Sequence, residues 1–176
     1  MRKTILHIIF SITILLIAAT NIVHAQVVWP TPTDSLPGDP GGLYVYTVQN
    51  MSFGAFARGN NGGTVIISNA GFRTVTGDIV PLSLGVQYFN AIFDIESPPG
   101  NIINILNGPA AVLNGSNGGT ITLNIGSSDP FSPFVSNVAP PNRTQVNVGG
   151  TLVIGNLSSS PPGTYSGVFY ITFNQE

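Results

Sequence analysis

From residue 43 onward apolar and polar positions alternate with a period of two, and Gly, Asn and Pro break the alternation at short intervals. The stretch 120–125, Thr-Ile-Thr-Leu-Asn-Ile, shows the pattern at its simplest. In the last segment Tyr165, Gly167, Phe169, Ile171 and Phe173 fall on one face, with Ser166, Thr172 and Asn174 on the other. That period marks half-buried strands. It predicts strands at 43–49, 51–56, 64–68, 72–76, 79–84, 86–96, 101–106, 110–113, 120–125, 144–154 and 164–173. Turns are expected at Gly59-Asn60-Asn61-Gly62-Gly63, Asn69-Ala70-Gly71, Pro98-Pro99-Gly100, Asn107-Gly108 and 114–119, because Asn-Gly steps favour the positive φ of hairpin turns. No stretch of comparable length has helical periodicity with caps, and no internal repeat is evident. Many short strands at this spacing imply an all-β, two-sheet β-sandwich.

The first residues follow a different pattern. Arg2 and Lys3 precede an apolar run over 5–19, which ends in Val23-His24-Ala25. This is the layout of a signal peptide over 1–25, cleaved between Ala25 and Gln26. The run approaches membrane-spanning length, so an uncleaved anchor helix is the rival reading; the small-residue end favours cleavage. No Cys follows the run, which excludes a lipoprotein anchor. The expectation is an exported protein without a membrane span after signal cleavage, in the periplasm, on the outer surface or outside the cell. Residues 26–42 form a Pro/Gly-rich arm holding Pro30, Pro32, Pro37 and Pro40, and a central strand is not expected where ladder donors are missing. The run Val27-Val28-Trp29 can still dock on a sheet edge, with Trp29 either anchoring the arm or touching a neighbouring subunit. The domain proper is 43–176.

Composition narrows the chemistry. The chain of 176 residues suffices for one domain with a core, and its 43% hydrophobic content argues against disorder. Only 7% of residues are charged, against roughly 25% in an average protein. Beyond the signal the basic residues are Arg58, Arg73 and Arg143; with no basic patch, nucleic acid is not an expected partner. His7, His24 and Lys3 all lie in the signal and Cys is absent. The mature chain therefore cannot build Ser-His-Asp or Cys-His catalysis, a Schiff base, a zinc site on His or Cys, or a disulfide. A carboxylate pair is the remaining catalytic class, and Asp94 and Glu96 are its candidates. They alternate with Ile and Phe on the wet face of a strand, where carboxylates are ordinarily just solvated; Asp34 and Asp39 offer a further oxygen set for weak calcium binding, with the same plain alternative. The expectation is a non-enzyme with no catalytic, cofactor-binding or metal-binding residues and no cofactor. Ser35, in Asp34-Ser35-Leu36, fits an O-glycosylation acceptor pattern, and Asn50, Asn114, Asn142 and Asn156 begin Asn-x-Ser/Thr sequons. Tyr44, Tyr46 and Tyr88 are the candidates for an exposed aromatic platform, the alternative being ordinary cross-strand packing.

Three ordered stretches carry a family resemblance. They are Met51-Ser52-Phe53-Gly54-Ala55-Phe56 with the following Gly-Gly-Thr-Val-Ile-Ile-Ser, then Gly149-Gly150-Thr151-Leu152-Val153-Ile154, then Pro162-Gly163-Thr164-Tyr165-Ser166-Gly167-Val168-Phe169. The chain from residue 43 to its C-terminus resembles the bacterial secreted family catalogued as domain of unknown function 4402. The closing strand is also similar to spore-coat-U and chaperone–usher pilin-like domains. The resemblance implies an immunoglobulin-like β-sandwich and an extracellular structural or adhesive subunit of a Gram-negative bacterium, pilus- or coat-like, with self-assembly or a surface protein or glycan as partner. The alternatives are a monomeric extracellular glycan- or protein-binding module and, remotely, a carboxylate-dependent hydrolase. The chain departs from pilin-like domains in lacking a disulfide and in ending Asn174-Gln175-Glu176. Its Pro-rich arm is a poor strand donor by composition, which leaves 43–49 as the other segment a partner could receive.

Overall fold

A computed structural model of the chain describes residues 41–176. The expected signal sequence and nearly all of the expected arm lie outside the described residues. Within them the chain is all-β: β1 (Tyr44–Gln49), β2 (Ser52–Phe53), β3 (Phe56–Ile67), β4 (Arg73–Pro81), β5 (Tyr88–Phe89), β6 (Ala91–Glu96), β7 (Ile102–Asn107), β8 (Ala111–Gly115), β9 (Thr120–Asp129), β10 (Phe134–Val135), β11 (Thr144–Ile154), β12 (Tyr165–Ser166) and β13 (Ile171–Gln175). Among the described residues there is no helix, so none is long and apolar enough to cross a membrane.

β11 organises the largest sheet, whose order is β1-β6-β11-β9-β8-β12 with the β3–β4 hairpin joined to β11 as well. β9 lies along one edge of β11, from Asn147 to Val153. The other edge is shared in succession: Thr144 to Val148 pair with β6, and Gly150 to Ile154 pair with β3. The handover falls at Gly149-Gly150, where a side chain has no room. A Cβ on Gly149 would sit 2.6 Å from the Ile67 carbonyl oxygen, and one on Gly150 would sit 2.7 Å from the Met51 sulfur. β7 pairs β13 and β10 in a second, three-stranded sheet, and β2 pairs β5 in a third. All named pairings are antiparallel.

Two apolar clusters hold these strands together. Val65, Ile67, Ile121, Leu123, Leu152 and Ile154 form one, between β3, β9 and the second half of β11. Ala91, Ile95, Ile105, Val146 and Val148 form the other, between β6, β7 and the first half of β11. Met51 and Phe169 pack against both. Ile95 and Ile105 come from different sheets, so the sheets bury their apolar faces on each other.

The structure revises several expected elements. The Gly-Asn-Asn-Gly-Gly stretch is not a turn: β3 runs through it, and the register with β4 shifts between Arg58 and Gly63. Gly62 adopts φ +74° and its Cβ would meet the Ile154 carbonyl oxygen, so the glycine serves a bulge pressed against β11. The two strands expected at 72–76 and 79–84 are one, β4, carried through Gly77 at φ +67°. The long segment 86–96 is divided at the buried Asn90, whose amide donates to the Asn69 carbonyl, its neighbour Ala91's carbonyl and the Asn147 side chain. Asn107-Gly108 does not reverse the chain; the Gly108 N–H donates to the Tyr170 carbonyl, so 102–115 faces 165–175 along most of its length. Residues 43–49 supply β1, paired to β6 of the same chain, and are engaged within their own domain.

Candidate interaction surface

Two surfaces stand out, and both are set by the register of β1. Tyr44 lies opposite Glu96 and Tyr46 opposite Asp94, so these four side chains share the face of the sheet turned away from the core. Val45 opposes Ile95 on the inner face. Arg143, just before β11, completes the outer group. Its Nε donates to Glu96 Oε2 at 3.2 Å, and its guanidinium lies 3.7 Å from the centre of the Tyr46 ring. Gln145 continues the row opposite Asp94. The two predicted carboxylates are thus brought together on one outer face, with Glu96 engaged by an arginine. Tyr44 and Tyr46 are half-buried, and their side chains line one strand.

Tyr88 belongs elsewhere. It sits on β5, paired with β2, with the Arg73 guanidinium 4.4 Å from its ring centre. The same guanidinium donates through one nitrogen to the carbonyls of Phe53 (3.2 Å) and Ala55 (3.1 Å). Gly54, between them, has φ +70°, and a Cβ there would lie 2.8 Å from that nitrogen. The three candidate tyrosines are therefore a two-tyrosine face plus a separate arginine–tyrosine stack that fastens the β2–β3 bend.

The second surface is the side of the core between β1 and β13. Each is the last strand of its sheet among the described residues. The inward residues behind them are sealed: Ile95 is 1% exposed and Val146 is 0%. Those along the rim, Val45, Phe93, Ile171 and Phe173, are only partly buried, although they pack on the same cluster. Phe93 and Phe173 touch with ring centres 5.5 Å apart. Among the described residues, β13 also has ladder groups with no strand beside them. Glu176 exchanges both backbone hydrogen bonds with Ile102, so by antiparallel alternation Asn174 and Thr172 also point at β7 while Phe173 and Ile171 point away from it. No described strand stands on that side. The far end is pinned by Gln175, whose Nε2 donates to the Gly41 carbonyl at 2.8 Å and whose Oε1 accepts from the buried Ser97 hydroxyl at 2.9 Å.

Ala25, Gln26, Trp29, Asp34, Ser35 and Asp39 lie outside the described residues. Asn50, Asn114, Asn142 and Asn156 are all exposed. Among the described residues no three His, Cys, Asp or Glu side chains gather as a metal-ligand group. Sequence reasoning missed the roles of Arg73 and Arg143. Arg143 was legible in principle, because it continues the Gln145 face by one step of two.

A family model described as domain of unknown function (DUF4402) matches residues 43–174. The chain belongs to this family. The DUF4402 match begins one residue before β1 and ends one residue short of the end of β13, so it spans the full set of described strands. The resemblance read from Met51–Phe56, Gly149–Ile154 and the Tyr165 strand is thereby shown at the level of the family. No curated protein and no solved structure is matched by the chain.

Proposed function

We propose that this DUF4402 protein is an exported, non-enzymatic structural or surface-interaction subunit that assembles with copies of itself, pilus- or coat-like, on the outside of a bacterial cell. The observation that carries the reading is the incomplete rim between β1 and β13. The order β1-β6-β11-β9 with β7 and β13 opposite matches the first, second, fifth and fourth strands of an immunoglobulin-like sandwich facing its third and sixth. The place of a seventh strand, beside β13, is vacant among the described residues. Tyr165 supports the same assignment. Its hydroxyl donates to the carbonyl of Pro161, four residues upstream in the loop before β12, the kind of bond a tyrosine corner makes. A sheet edge with half-buried apolar neighbours is a template for another chain.

Residue chemistry supports the non-enzymatic part: the chain holds no His, Lys or Cys beyond His24. The charged and apolar pattern of 1–25 supports export. Fractionation of the native host tests the location: the protein is expected outside the inner membrane with Gln26 as its N-terminus. Recovery from the cytosol with Met1 retained would contradict the reading. A second reading, a binding module for glycan or protein, is favoured by Tyr44 and Tyr46 lying beside Asp94 and Glu96. Under it, Tyr44→Ala with Tyr46→Ala abolishes retention on the host's own surface glycan while native mass is unchanged.

A further inference from the structure

We propose that the outer face of the β10-β7-β13 sheet is where two copies of the chain pack face to face, about a two-fold axis at the level of Asn104 and Asn174. This face is not the rim between β1 and β13, so the inference goes beyond the self-assembly reading and stands or falls separately from it.

The alternation along β7 builds the face. Ile103 and Ile105 are buried, so Ile102, Asn104 and Leu106 point the other way. Across the ladder Val135 opposes Ile102, Asn174 opposes Asn104 and Thr172 opposes Leu106. Tyr170 ends the row beside Gly108, where a Cβ would lie 3.2 Å from the Tyr170 Cβ; the tyrosine thus borders a position with no side chain. Ile102 is 41% exposed, Leu106 54% and Tyr170 68%. Phe131, also exposed, adjoins Ser132, whose hydroxyl accepts from the Ile105 N–H at 2.7 Å.

Charge points to a second copy as the occupant. Glu176, at the end of β13, is the face's one charged side chain, and it sits at a corner. All other charged side chains among the described residues lie on or next to strands of the largest sheet. A face so nearly free of charge meets its own copy without like-charge repulsion and with little charge to desolvate.

The order of side chains points the same way. Along the strands the face reads apolar at Ile102 and Val135, amide at Asn104 and Asn174, then apolar at Leu106 with Tyr170 beyond it. An axis lying in the plane of contact, across the strands at the amide level, sets Asn104 over Asn104. It also sets Ile102 of each copy over Leu106 of the other. An amide carries both donor and acceptor, so it complements itself. A two-fold contact requires that kind of self-complementarity. Two sheets of the same twist pack face to face at about −30°, the ordinary sandwich arrangement. The exposed parts of Ile102, Leu106, Val135, Tyr170 and Phe131 come to roughly 500 Å² per copy. A pair then buries about 1,000 Å², the lower bound for a specific protein interface.

The chain has no Cys, so a single introduced thiol can be bridged only to that of another copy. The test uses the chain from Gln26 carrying Asn174→Cys, with a bismaleimide that spans the roughly 10 Å between packed sheets. The inference predicts a crosslinked dimer. Val112→Cys, exposed on the outer face of the largest sheet, should stay monomeric under the same treatment. Adding Leu106→Asp or Ile102→Asp to Asn174→Cys should lower the dimer yield by on the order of tenfold or more, since each buries a charge at the contact. Both positions are exposed in the monomer, so the variants should fold. Three results would each overturn the inference: no dimer from Asn174→Cys, equal crosslinking of Val112→Cys, or dimers that persist in both aspartate variants. A monomer that binds the host's own surface polysaccharide, and loses that binding in Tyr170→Ala, would overturn it too, with glycan as the occupant. When the crosslink fails but heat-sensitive subunit multiples form, the face contact is lost and the self-assembly reading survives.

Discussion

Arg143 stacks on Tyr46, its guanidinium 3.7 Å from the ring centre, while its Nε reaches 3.2 Å to Glu96. The arrangement ties the residue entering β11 across β6 to β1 on the outer face. It sits partly in water, with the Arg143 side chain 39% exposed, so neither contact is strong. Arg143→Ala is predicted to lower unfolding free energy by about 1 kcal/mol or less. Chemical denaturation at low and high salt checks this. A loss that ignores salt would mean that stacking, rather than the ion pair, holds the contact.

Arg73 should matter more than Arg143. One nitrogen holds the carbonyls of Phe53 and Ala55, and the guanidinium covers Tyr88. Hydrogen bonds from a charged group contribute roughly 1.5–3 kcal/mol. Arg73→Ala is predicted to destabilise by about 2 kcal/mol, and Arg73→Lys to restore less than half of it, because a point charge cannot stack and bridge together. Gly54→Ala should be comparably harmful, since it places a Cβ against Arg73 at a positive φ. Denaturant midpoints of the three variants decide this.

The two sides of the cluster around Ile95, Ile105 and Val148 are predicted to respond differently to truncation. Ile95 is sealed at 1% exposure, and Ile95→Ala should cost about 3 kcal/mol. Ile171, on the rim, is only partly buried, so in the isolated monomer Ile171→Ala should cost about 1 kcal/mol. Equal losses in monomeric protein would mean that the rim is already closed.

Tyr165 packs at the edge of the core and bonds its hydroxyl to the Pro161 carbonyl. Tyr165→Phe is predicted to cost about 1 kcal/mol, with β11 and β12 still joined in the same way. Thermal unfolding of the variant measures it, and an unchanged midpoint would show the bond to be dispensable.

Period-two alternation made the strands legible wherever one face is buried and the other wet. Thr120 to Ile125 and the Phe169-Ile171-Phe173 face lie where the pattern puts them. The turn between β8 and β9 was equally clear, because Asn114 to Gly119 is needed to reverse the chain there. Glycine elsewhere misled. Gly62 and Gly108 look like hairpin residues, yet each is glycine because another backbone comes close: the Ile154 carbonyl at Gly62 and the Tyr170 carbonyl at Gly108. A close approach and a turn demand the same residue, and only the distant partner distinguishes them. The Tyr44–Tyr46 face could be foreseen as a pair two residues apart. Its arginine could be placed on that face by its step of two from Gln145, but not its partner, since Arg143 reaches Glu96 across 47 residues of sequence.

The central claim is that the protein is a subunit that assembles with its own kind. The most direct measurement is the mass of the chain from Gln26 onward, taken from its native host in mild detergent and compared unheated and heated. A ladder of subunit multiples that collapses to one mass on heating is the predicted result. A single monomer mass in both samples would contradict it.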